Sequence, residues 1–283
     1  MTGYCSFRLS RAVDILRARR GRRGLRAMPE RGHRGWQSAV FRRKYALVGL
    51  LIVLAFPASS SSATEGPETS AKSKGTIVDD LSPLVPAILD RGGWKAKPAL
   101  PGMKEQKPAA IILHHTGVRQ NPGVAFDAKL RGLQSFSQRP GQVSPTRTKP
   151  AWPDVPYHYY VDHAGRIAEG REVQYAGDTN TGYDTKNYIQ VVVEGEFEQE
   201  TPAPEQMSAL RKILVWLMLA WNIPPEKISI HRDHAPTTCP GRNFVAVLPE
   251  MLALVAADRN KAISDICAGS VSAQFSTTYC LPR

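Results

Sequence analysis

Residues 109–115 read AAIILHH, a compact apolar run, Ala109–Leu113, that closes on a histidine pair, His114-His115. Five apolar residues bounded by a Pro- and Lys-rich stretch predict a buried strand. Working outward, Val124, Phe126, Leu130, Leu133 and Phe136 fall at helical spacing over Val124–Gln138. Tyr157–Asp162 and Arg166–Glu169 flank His163-Ala164-Gly165 and predict a hairpin. Ile189–Glu194 (IQVVVE) is a β-branched strand, and Ile228–His231 a short one. Between them Pro204–Trp221 predicts a helix of about five turns, started by Pro204 and ended by Pro224-Pro225. Phe244–Ala257 predicts a terminal helix, and Leu81–Asp90 a short one. Arg139–Pro156, rich in Pro, Ser and Thr, reads as a long surface loop. Strands interleaved with helices predict a single α/β domain with a central mixed β-sheet flanked by helices.

The chain has 283 residues, 42% of them apolar, which is too apolar for a disordered protein. Its formal charge of +12 is misplaced for a nucleic-acid binder. Of 37 Lys/Arg, 13 lie in residues 1–44 against two acids, leaving 24 basic and 23 acidic residues for the remainder. A binder of phosphate backbones carries its charge on the folded surface, so that class is set aside. After the basic arm come the apolar run Ala46–Phe56 and the small-residue stretch Ala58–Ala63. This order describes an export signal, with Ser61-Ser62-Ala63 as the cleavage site. Eleven apolar residues fall short of the roughly 20 that span a bilayer, which disfavours an uncleaved anchor. Met28 offers an alternative start with a shorter lead. The expected organisation is arm plus signal at 1–63, linker at 64–89, folded domain at 90–257 and tail at 258–283. Export to the periplasm would allow Cys267 and Cys280 to pair.

Cys239 stands apart, in Thr237-Thr238-Cys239-Pro240-Gly241. With the His114-His115 pair and His231, both at predicted strand ends, it forms a candidate metal set. Two imidazoles and one thiolate leave the fourth tetrahedral position of Zn²⁺ open, the arrangement that lowers the pKa of a water to about 7.

Several stretches, in this order, resemble one known family: Ile111–Gly117 (IILHHTG), Asp154–Tyr159 (DVPYHY), Ala164–Arg171 (AGRIAEGR), and His231-Arg232-Asp233 followed by Thr237–Gly241 (TTCPG). They look like the zinc-dependent N-acetylmuramoyl-L-alanine amidases of the second family, which includes phage lysozyme-type amidases and the animal peptidoglycan recognition proteins. Arg91–Ala96 and Leu130–Phe136 (LRGLQSF) agree as well, so the resemblance spans about residues 90–250.

The resemblance implies a peptidoglycan recognition protein-like fold and a zinc ion held by His114, His231 and Cys239. Neighbours on a strand face opposite sides, so His115 turns away toward packing or the groove wall, where it is assigned to substrate. Tyr157 matches the tyrosine that donates to the oxyanion, and Thr237 a second polar group beside the carbonyl. Asn187 matches a substrate-side asparagine, a position that a turn also explains. Val192 stands where one branch of the family has a glutamate base, and Glu194 is not assigned in its place. Arg232 and Asp233 are read as supports of the ligand before them. The implied activity is hydrolysis of the amide between N-acetylmuramic acid and L-alanine, on peptidoglycan or muropeptides, by a monomer that meets the membrane only through its export signal. A non-catalytic peptidoglycan sensor is the alternative, disfavoured because Cys239 is present.

Overall fold

The computed structural model describes residues 77–144 and 146–280. The basic arm, the export-like segment and the start of the expected linker lie outside the described residues.

Ala110–His115 (β2) sits inside a six-stranded sheet and is parallel to Tyr188–Val193 (β7) on one side and Ile228–Ile230 (β8) on the other. Beyond β7 lies Tyr159–Val161 (β5), also parallel, then the antiparallel Ile167–Glu169 (β6), and Ile88–Leu89 (β1) closes the far edge. The sheet is therefore mixed, as expected. Strand alternation sorts its residues onto two faces. Ile111, Leu113, Ile189, Val191 and Val193 face the larger core, covered by Pro204–Ala220 (α3) and Arg242–Cys267 (α4). Leu210, Ile213, Leu214 and Leu217 are fully buried there, at i, i+3, i+4 and i+7 of α3. Val192 and Tyr160 face the smaller core under Phe126–Ser137 (α2), together with Trp94, Phe126, Leu130 and Val155.

Several elements differ from expectation. The helix predicted over 81–90 lies earlier, at Ile77–Leu81 (α1), because Pro83 and Pro86 allow only a 3-10 turn and an extended run after it. That run supplies β1, and Leu81 is buried in the main core, so the end of the expected linker is part of the fold. At the other end α4 continues ten residues past Ala257. The following segment folds back, with Phe275 buried and the Tyr279 hydroxyl donating to Leu219 O at 2.6 Å. Cys267 and Cys280 are disulfide-bonded. Ser272 N donates to Asp80, which ties this tail to α1.

The surface loop expected at 139–156 contains an antiparallel hairpin, Gly141–Ser144 (β3) with Arg147–Lys149 (β4), and a buried return through Trp152, Asp154 and Val155. Lys149 anchors it. Its buried ammonium donates to Ser137 O, the last carbonyl of α2, at 2.8 Å and to Arg139 O just beyond the helix at 2.5 Å, and lies over the rings of Phe136 and Trp152. A polar hairpin pinned by one lysine has no apolar alternation to read.

Candidate metal centre

The parallel strands bring His114, the penultimate residue of β2, beside His231, the first residue after β8. This is the carboxyl end of the sheet, where open α/β folds place their sites. Cys239 arrives on the loop after His231. Arg232 holds that loop shut, its N–H donating to Cys239 O at 3.1 Å and its guanidinium to Thr238 O at 2.6 Å. Thr237 Oγ1 accepts from Cys239 N at 3.2 Å, and Asp233 accepts from Ile230 N at 3.0 Å. Gly241 follows at φ +97, and a Cβ there would overlap the backbone of Phe197.

The three side chains are 2%, 9% and 7% exposed for His114, His231 and Cys239, and one ligand atom of each lies within 4.8 Å of the others. His114 Nδ1 is 3.7 Å from Cys239 Sγ. A Zn–N bond of about 2.1 Å and a Zn–S bond of about 2.3 Å at the tetrahedral angle separate N and S by about 3.6 Å. The donor set and its spacing therefore fit zinc. Burial pushes the pKa of His114 well below the ordinary histidine value, with His231 and His115 adding to it, and that of His231 down to about 4. It pushes the Cys239 thiol up to about 12. Both rings are thus kept neutral, the form in which an imidazole binds metal, and ionising the buried thiol calls for a cation beside it. The backbone N–H of His115 donates to Cys239 Sγ at 3.4 Å.

Tyr157 joins this centre to a groove. Its ring lies 5.3 Å from that of His114, and burial, then Cys239, raise its pKa so that the hydroxyl keeps its proton. The groove, about 670 Å³, runs from Tyr157 and Asn180 past α2 to the hairpin residues Gln142 and Val143.

Two expected substrate residues lie elsewhere. His115 faces the opposite side of β2 from His114; its Nδ1 accepts from Phe197 N at 3.2 Å and its ring packs on that of Phe197. It shapes the turn at 195–197. Asn187 precedes β7, at φ +70, with its carbonyl accepting from Ala109 N and its N–H donating to Gln106. His114 pairs with Val192, five residues further along the strand, so Asn187 sits roughly 16 Å from the ligand end at ~3.3 Å per residue. The turn explains it. Val192 is buried beneath His114's end of the sheet, and Glu194 is engaged by Lys129 Nζ at 2.7 Å and by the backbone N–H groups of Asn121 and His163. Asp162, His163 and Glu194 also converge, but Lys129 and Arg166 already supply cations there.

Three residues near the ligands escaped the sequence reading. Thr181 Oγ1 is 2.7 Å from His231 Nε2, and the Tyr183 ring packs against that of His231. Gln190, fully buried, lies beside His114. A polar residue at the centre of YIQVVV was the visible signal for Gln190; the Thr179–Tyr183 loop carries none.

Residues 104–242 match the family described as N-acetylmuramoyl-L-alanine amidase. The domain spanning these residues belongs to this amidase family. Among similar proteins, peptidoglycan-recognition protein SD of Drosophila simulans is 27% identical over 171 residues, 58% of this chain and 84% of that protein. An endolysin of Klebsiella phage KP32 is 26% identical over 141 residues, 48% of this chain and 83% of the endolysin. An N-acetylmuramoyl-L-alanine amidase of Mus musculus is 26% identical over 170 residues, 58% of this chain but 30% of the mouse protein. The crystal structure of Drosophila peptidoglycan recognition protein SD superposes on this amidase-family domain with a TM-score of 0.50 at 24% identity, covering 58% of this chain and 94% of that one, which shows the shared fold.

Proposed function

We propose that this protein is a zinc-dependent N-acetylmuramoyl-L-alanine amidase, hydrolysing the amide between N-acetylmuramic acid and the first L-alanine of the stem peptide. The convergence of His114, His231 and Cys239 beside Tyr157 carries the reading, because a sensor has no need of a buried thiol between two neutral imidazoles. Zinc, when bound there, supplies Lewis acidity toward the scissile carbonyl and acidifies water at neutral pH. The chain's own residues do the rest. Tyr157, held protonated by burial, donates to the carbonyl oxygen as negative charge develops on it. Thr237 keeps the Cys239 loop in place through its oxygen and would add its hydroxyl hydrogen to the same oxyanion. The groove beside Tyr157 takes the substrate, peptidoglycan or its muropeptides, and its partly apolar walls exclude water from the reacting end. Export by the N-terminal segment would put the reaction outside the cytoplasm.

Metal analysis of the purified chain, with chelator and zinc restoration during turnover of a soluble muropeptide, tests this reading. One zinc per chain and chelator-reversible release of a peptide beginning with L-alanine are expected. Tight muropeptide binding with no cleavage by the zinc-loaded protein would instead identify a sensor.

A further inference from the structure

A histidine that binds metal through one ring nitrogen has its tautomer set by whatever touches the other. At His231 the outer nitrogen is Nε2, 2.7 Å from Thr181 Oγ1. Thr181 is itself held in place: its N–H donates to Thr179 Oγ1 at 3.1 Å, and the two hydroxyl oxygens are 2.8 Å apart. A hydroxyl has one hydrogen and two lone pairs. Either hydroxyl can donate in the Thr179–Thr181 contact, and with the Thr181 hydrogen directed to Thr179 its oxygen presents a lone pair to an Nε2–H of His231. A neutral imidazole carries one hydrogen, so with it on Nε2 the Nδ1 lone pair is free to bind metal.

At His114 the inner nitrogen is again Nδ1, facing Cys239 Sγ. Among the described residues the outer Nε2 makes no well-formed hydrogen bond, nor does either polar atom of the Gln190 amide that lies beside it. Gly177 leaves room for that amide, since a Cβ there would overlap it and the carbonyl of Pro156. A small rotation that lets Gln190 Oε1 accept from Nε2–H removes two of these unsatisfied groups at once.

We propose that Thr181 is the positioning residue for His231, its hydroxyl accepting from Nε2–H so that Nδ1 is bare toward the metal, with Gln190 in the same role for His114. The inference rests on the zinc reading above. Both partners are neutral, so the thiolate of Cys239 is the single negative charge among the ligands and their two ring partners, and a bound divalent ion keeps net positive charge for the carbonyl.

Two measurements on the whole chain test it. Ring-nitrogen NMR of the metal-free, histidine-labelled wild type should show His231 with hydrogen on Nε2; hydrogen on Nδ1 overturns the proposal and needs no variant. Zinc affinity, read by competition with a chromophoric chelator, should weaken about 10- to 100-fold in Thr181→Val and stay within about threefold in Thr181→Ser. Wild-type affinity in Thr181→Val overturns it. Equal losses in both variants also overturn it, because packing and not the hydroxyl would then be responsible. A wild type that takes no zinc refutes the metal reading and this inference together. Tight zinc without amide cleavage refutes the proposed activity alone, and the Thr181 variants still decide this point.

Discussion

Replacing Tyr157 by Phe removes one oxygen from the site and little else. The ring stays, packed 5.3 Å from His114 and partly buried on the smaller core, so neither the fold nor the ligand spacing should move. What is lost is a hydrogen-bond donor whose proton is secured by burial and by the neighbouring Cys239. A single preorganised donor to an oxyanion contributes about 10²- to 10³-fold to turnover, or about 2.7–4 kcal/mol of transition-state stabilisation. Tyr157→Phe should therefore lower kcat by that factor while KM and zinc stoichiometry stay near wild type. Release of L-alanyl peptides from a soluble muropeptide, followed at saturating substrate with metal content measured on the same preparation, reads all three. Activity within threefold of wild type would refute the donor role, and a loss that tracks lost zinc would show that Tyr157 acts on the ligands instead.

Further consequences concern the ligands and the fold around them. Cys239→Ser should lose stoichiometric zinc and turnover together, measured by elemental analysis and peptide release; retention of both would refute the ligand set. Lys129→Met leaves the Glu194 carboxylate buried without its ammonium, at a cost of about 3–5 kcal/mol. For a domain of this size that lowers Tm by roughly 6–20 °C, and Lys129→Met with Glu194→Gln should recover part of the loss in the same calorimetric scan. His158 is buried, accepts from Gln190 N at 2.8 Å, and is held down to about 4 by burial. Below the ordinary histidine pKa of about 6.5 the unfolded chain takes up a proton that folded His158 refuses, so stability falls as pH drops from about 6.5 to about 4. Urea midpoints of the metal-free protein at pH 7, 5.5 and 4.5 should show this slope, and His158→Gln should make it shallower, with the buried His114 and His231 supplying the remainder.

How much of this was legible depended on whether the deciding interaction was local. AAIILHH and IQVVVE declare buried strands because both faces of a central parallel strand are covered, and the structure pairs them in the expected mixed sheet. The spacing of Leu210, Ile213, Leu214 and Leu217 announced α3 for the same reason. The 141–149 hairpin left no such trace, since its anchor is one lysine held by carbonyls at and just past the end of α2 and by the rings of Phe136 and Trp152, which sets no periodic pattern. The extension of α4 to Cys267 and the return of Phe275 are likewise stabilised by contacts with α3 and α1, not by local periodicity. At the site, His114 and His231 stood out as imidazoles at strand ends, and Cys239 as a lone cysteine before Pro240-Gly241. Asn187 stayed ambiguous in the sequence because an asparagine beside a strand looks alike whether it faces substrate or makes a left-handed turn, and the structure shows the turn. Thr181 was missed because a threonine in a polar loop acquires meaning only from the ring it touches.

The most direct test incubates the purified protein with purified sacculi, with and without chelator, and identifies the released products by mass spectrometry. Free stem peptides that begin with L-alanine are expected, lost with the chelator and restored by Zn²⁺. A zinc-loaded protein that releases nothing from sacculi or from soluble muropeptides would contradict the amidase reading.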